Sequence, residues 1–139
     1  MSQATDKVVF ASPAWIERAR LELESLAAEH GQPGERFSLC EVFTEAPAEL
    51  AADGTIAWYF YIDGKNVRVG TGEVDDADVK AWVSYAKILP TARLIYTPEY
   101  LAERANEPAG SQFDKAEGDF SRTPAYITEL HNRLAAVTA

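Results

Sequence analysis

The sequence predicts an α+β domain: a five-stranded, mostly antiparallel sheet with helices packed on one face and a helix near each end of the chain. Three observations predict it. Residues 12–31 carry apolar side chains at three- and four-residue steps. Residues 36–85 alternate with a period of two and turn on Asp63-Gly64. Residues 123–139 return to helical spacing.

The elements follow in order. Residues 1–7 are expected to be a loose tail. In "SPAWIERARLELESLAAEHG", Ser12 is placed to cap the first free amides and Pro13 suits the first helical position. Ile16, Ala19, Leu23 and Leu26 form one stripe, and Gly31 is expected to end the helix in a left-handed conformation. "RFSLCEVFTE" sets Phe37, Leu39 and Phe43 against Ser38 and Thr44, with Glu41 interrupting the apolar face. "APAELAADG" reads as a loop or a short helical turn. The second strand puts Ile56, Trp58, Phe60 and Ile62 on one face, and Ala57, Tyr59 and Tyr61 on the other. Asp63-Gly64 makes a hairpin, since glycine tolerates the positive φ a tight turn demands. Residues 66–71 return as a third strand with Val67 and Val69 inward.

"EVDDADV" is a turn. Residues 78–85 read as a fourth strand, with Val79, Ala81, Val83 and Tyr85 against Lys80, Trp82 and Ser84; a helix starting near Asp76 competes with it. "AKILPTARLIY" is ambiguous because of Pro90. Thr97-Pro98 starts a short helix to about Arg104, and "FDKAEGD" reads as the last strand. In the closing helix Thr123 caps, Pro124 leads, and Ile127, Leu130, Leu134 and Val137 form the stripe.

With 139 residues, 47% of them hydrophobic, the chain fits one domain with a real core. A net charge of −9 repels phosphate, which argues against nucleic acid and against docking on anionic membranes. The one cysteine, Cys40, forms no internal disulfide and reads as a small buried hydrophobe. No window approaches a membrane span, and the opening "MSQATDKVVF" lacks a basic start followed by a long apolar run. A cytoplasmic protein is expected.

Catalytic signals are sparse. His30 sits in the last turn of the first helix, where a cation suits the helix dipole, and His131 flanks the stripe of the closing helix. No nucleophile elbow, paired-histidine zinc motif or phosphate-cradling loop occurs. The cluster Glu73, Asp75, Asp76 and Asp78 does not have calcium-loop spacing and reads as a solvated turn. No metal, catalytic residue or cofactor is expected. What remains is a surplus of large apolar side chains, which suits a cavity for an apolar small molecule. The expected lining is Trp58, Phe60, Trp82, Tyr85, Leu89, Leu94, Tyr96 and Leu101. Tyr59, Tyr61 and Trp82 on the outer sheet face would form an aromatic patch, which predicts a homodimer.

The segments "WYFYIDGKNVRVGTGEVDDADVKAWVS" and "FDKAEGDFSRTPAYITELHNRLA" resemble the sterol-carrier-protein type 2 superfamily. The opening "FASPAWIERARLELESL" is similar to that of bacterial stand-alone members. The resemblance covers most of the chain. It implies a five-stranded sheet, helices on one face, and an apolar tunnel between them for lipids, fatty acyl chains, acyl-CoA esters or sterols, with no chemistry of its own. "AKILPTARLIYTPEYLAERANEPAGSQ" departs from the shorter glycine-containing helix usual there, and this segment would shape the tunnel. The alternative is an isomerase or dehydratase on a ketosteroid-isomerase-like cone, with Asp63, Asp114 or Asp119 as base and Tyr59, Tyr61 or Tyr96 as donor.

Overall fold

A computed structural model of the chain describes residues 7–108 and 110–139. The expected tail thus lies outside the described residues except for Lys7, which is exposed. Helix α1 spans Pro13–His30, and the Ser12 hydroxyl accepts from the Trp15 amide at 3.2 Å. Its predicted stripe is buried, with Trp15 and Ala27 added to it. Gly31 is extended rather than left-handed, with φ −63° and ψ 140°. Glycine is needed there because a Cβ would strike the Gly64 carbonyl of the strand hairpin.

Strands β1 (Arg36–Thr44), β2 (Ile56–Asp63), β3 (Asn66–Thr71), β4 (Val79–Ser84) and β5 (Lys115–Gly118) form one sheet in the order β3-β2-β1-β4-β5. β1 and β4 run parallel; the other neighbours are antiparallel. The β1–β2 register pairs Phe37 with Ile62, Leu39 with Phe60, Glu41 with Trp58 and Phe43 with Ile56. These pairs share the inner face with Val79, Ala81 and Val83 of β4. Helices α1, α2 (Tyr85–Ala92) and α4 (Ile127–Val137) cover that face; α3 is the short Pro98–Glu103. The chain ends are tied together: Val8 bridges Thr138, and the Trp15 indole N–H donates to the Thr138 hydroxyl at 3.1 Å.

Three expectations change in detail. The fourth strand stops at Ser84, and Tyr85 opens α2, because the Ser84 hydroxyl caps the Lys87 amide at 3.2 Å. Pro90 is accommodated inside α2, which ends two residues later. Thr123 does not cap α4: its hydroxyl donates back to the Phe120 carbonyl at 2.7 Å, within a 3-10 turn, and α4 begins only at Ile127.

The outer face is not left bare. With β2 and β1 between β3 and β4, residues 72–78 must cross the sheet, and they do so as a strap. Val74 and Ala77 of the strap pack on Cys40, Val42 and Ala57. Its acids have partners: Lys80 pairs with Glu73 at 3.0 Å and Asp75 at 2.9 Å, and Tyr61 donates to Asp76. Asp78 accepts from the Ser38 amide at 2.9 Å and the Ser38 hydroxyl at 3.1 Å.

Candidate functional site

A cavity of about 130 Å³ lies between the inner face of the sheet and the helices. Its floor is Leu39, Glu41 and Phe43 of β1 with Trp58 and Phe60 of β2. Phe10 and Trp15 close one side, while Leu130 and Leu134 of α4 close another. The half-buried Thr91, Ala92, Tyr96, Gln112, Phe113, Ile127 and His131 mark the mouth. Well-packed interiors hold few voids larger than a water molecule, so a hollow of this size is a departure from close packing.

Strand alternation explains who is present. Trp58 and Phe60 point inward with Ile56 and Ile62, and Trp15 packs edge-on to Trp58 at 5.3 Å. Glu41 falls in the same inward series, so the chain carries a carboxylate into an apolar wall. Its cross-strand neighbour supplies the compensation: the Trp58 indole N–H donates to Glu41 Oε1 at 2.7 Å. Among the described residues Glu41 Oε2 has no hydrogen-bond partner. Burial pushes the Glu41 carboxyl up to about 7, against the opposing effect of the Trp58 bond.

The mouth is built by the connection after α2. Asn132 accepts from the Tyr96 amide at 2.8 Å and donates to the Tyr96 carbonyl at 3.2 Å, which pins this connection to α4. The rings of Tyr96 and His131 stack at 3.8 Å, and Tyr100 stacks on the other side of Tyr96 at 5.0 Å. His131 Nε2 lies 2.8 Å from the Leu94 carbonyl. A carbonyl only accepts, so this nitrogen carries the proton and neutral His131 keeps Nδ1 bare. Burial lowers the His131 pKa, which holds it in that neutral form. Burial likewise raises the Tyr96 phenol to about 12, with smaller contributions from Tyr100 and Glu41. The Tyr96 hydroxyl has no partner among the described residues.

Of the eight expected lining residues, the structure brings Trp58, Phe60 and Tyr96 to the cavity. Trp82 lies on the outer face, since β4 turns Val79, Ala81 and Val83 inward; Lys80 and Lys115 flank its ring at 5.3 Å and 4.6 Å. Tyr85 is packed in the core beside Phe10, its hydroxyl donating to the Phe10 carbonyl at 2.7 Å. Leu89 packs against the core but is not among the α2 residues of the lining, which are Ile88, Thr91 and Ala92. Leu94 and Leu101 are exposed. Glu41, the charged residue that interrupts the alternating apolar strand, is the lining residue to which the sequence pattern assigns no role. Asp63, Asp114 and Asp119, the acids a sequence reading offers as bases, are spent on Arg36, on Lys87 with Ser84, and on the Ser121 amide. Lys87 holds the Asp114 carboxyl below its usual range, and the hydrogen bonds from Ser121 do the same for Asp119.

No protein-family model matches the chain, and no curated protein matches its sequence. Among solved structures, a crystal structure of sterol carrier protein 2 superposes with a TM-score of 0.55 at 14% identity, over 94% of this chain and 99% of that one. A UbiJ-SCP2 ubiquinone synthesis protein matches over 91% of this chain and 82% of its own, at 17% identity and a TM-score of 0.34. The first similarity shows that the chain has a sterol-carrier-protein-2-like fold. A helix, α4, follows the last strand.

Proposed function

We propose that this protein binds an apolar small molecule, a lipid, acyl or sterol-like compound, in the cavity between sheet and helices, and holds it without transforming it. The observation that carries the reading is the aromatic and aliphatic cavity beneath α2 and α4. The sterol-carrier-like fold supports it. Burying ligand surface there is worth about 25 cal/mol per Å². A cavity of about 130 Å³ takes a group of roughly benzene size. Anything longer must run out past Thr91 and Gln112. The outer-face aromatics have intramolecular partners, Arg68 over Tyr61 and two lysines at Trp82, so this reading needs no second copy.

The test is a titration with fatty acids, acyl-CoA thioesters, sterols and aliphatic alcohols, read through the fluorescence of Trp15 and Trp58. Binding of at least one class with Kd below about 100 μM is expected. Silence from every class at that threshold sinks the carrier reading. One observation favours a second reading: the Glu41 carboxyl, raised by burial, lines the same apolar cavity as the Tyr96 phenol, and a base beside a hydrogen-bond donor is what proton transfer at a carbon acid requires. Incubation with β,γ-unsaturated ketones distinguishes it; double-bond migration that Glu41→Gln abolishes would replace binding by catalysis.

A further inference from the structure

We propose that Glu41 and Tyr96 form a polar recognition point in the cavity, and that the ligand it selects is an apolar molecule bearing a hydroxyl group rather than a fatty-acid carboxylate. This rests on the carrier reading above and names its ligand class.

The argument is one of unmet hydrogen bonds. Glu41 Oε1 is taken by the Trp58 indole, while Oε2 is free in a wall otherwise built from Leu39, Phe43, Phe60 and Leu130. Tyr96 lines the same cavity, and its hydroxyl is also without a partner among the described residues. A carboxylate oxygen accepts and a phenol donates. A ligand hydroxyl has both capacities: it can give its proton to Glu41 and take one from Tyr96. A ligand group that pairs with both gains over one that pairs with neither, by about 0.5–1.5 kcal/mol for each net hydrogen bond.

A ligand carboxylate meets the opposite conditions. Among the described residues the lining holds no lysine or arginine to neutralise it, and it would share the cavity with Glu41. Two carboxyl groups in such a place can coexist only by sharing a proton. The other titratable groups in the lining are Tyr96, from the α2–α3 connection, and His131, from α4; α1, α2 and β2 contribute none. Neutral His131 offers no counter-charge. The carboxyl of Glu41 changes state near pH 7, so the preference has a direction in pH. The ionised form, above that value, favours the alcohol, while the protonated form below it tolerates the acid.

The experiment compares 1-octanol, octanoate and octyl methyl ether, three probes of similar length, by tryptophan fluorescence at about pH 8.5 and about pH 6. Wild type is expected to bind octanol at least about tenfold more tightly than octanoate at the higher pH, with the ether between them. The octanol-to-octanoate ratio should shrink as pH falls through 7. Glu41→Gln turns an acceptor toward the ligand into an amide N–H donor. It should bring octanol down to the level of the ether and raise octanoate several-fold. Should the three probes bind wild type with equal affinity at both pH values, the hydroxyl assignment fails and the carrier reading stands. Should none bind, both fail together. The pH series uses wild-type protein alone, so a poorly folded variant leaves the proposal open to refutation.

Discussion

Glu41 shows what one residue does when its strand position and its chemistry disagree. The alternation of β1 sends it inward, and Trp58 can satisfy only one of its oxygens. The folded state therefore holds its proton more tightly than the unfolded chain does: the carboxyl titrates at about 7 instead of its ordinary 4.5. A raised folded-state pKa gives a contribution that is complete below the unfolded value and disappears as pH rises through the folded one. From pH 4.5 to 7, wild type should lose about 3 kcal/mol of stability relative to Glu41→Gln, which does not titrate. Urea denaturation of both proteins across that range measures it. Parallel curves would mean that water relieves the carboxylate in the cavity.

The outer strap is the element whose role composition hides. Read as sequence, Glu73 to Asp78 is an acidic run that belongs in solvent. In the fold it is a crossover stitched down at both ends. Asp78 carries most of this, because it accepts from both the amide and the hydroxyl of the buried Ser38. Gly118 of β5 adjoins the same point with φ +107°, and a Cβ there would strike the Asp78 carbonyl. Asp78→Ala should cost about 2 kcal/mol, the penalty for a buried donor left unpaired. Asp75→Ala removes a side chain that is 97% exposed, and should cost under about 0.5 kcal/mol. Shifts in the urea midpoint separate the two; equal effects would show that charge, not the Ser38 bonds, holds the strap.

At the scale of the whole molecule, the cavity is a stability deficit maintained by the fold. A hollow of about 130 Å³ leaves part of its apolar wall without packing partners, contacts that a filled core would keep. Ala92 lies half-buried on its α2 wall. Ala92→Leu should fill part of the space, raise stability by about 1 kcal/mol and weaken octanol binding at least about tenfold. Thermal melts and the fluorescence titration check the pair of effects. A variant that gains stability and binds as before would place the ligand elsewhere.

The sequence by itself determined the helix at residues 13–30, the Asp63-Gly64 hairpin and the inward series from Ile56 to Ile62, because period and turn chemistry are local properties. It also carried the resemblance whose fold the structure bears out. The inward placement of Trp58 and Phe60 was legible for the same reason of period. The parallel pairing of β1 with β4, the strap it requires and the exclusion of Trp82, Tyr85, Leu89, Leu94 and Leu101 from the lining came only with the tertiary structure. A side chain's strand face is fixed by its neighbours in sequence. Which helix covers that face, and whether the space beneath is filled, depends on residues far apart in the chain. Glu41 stands at that boundary: its misfit could be seen in the strand, but its meaning needed Trp58 opposite and Tyr96 in the same lining.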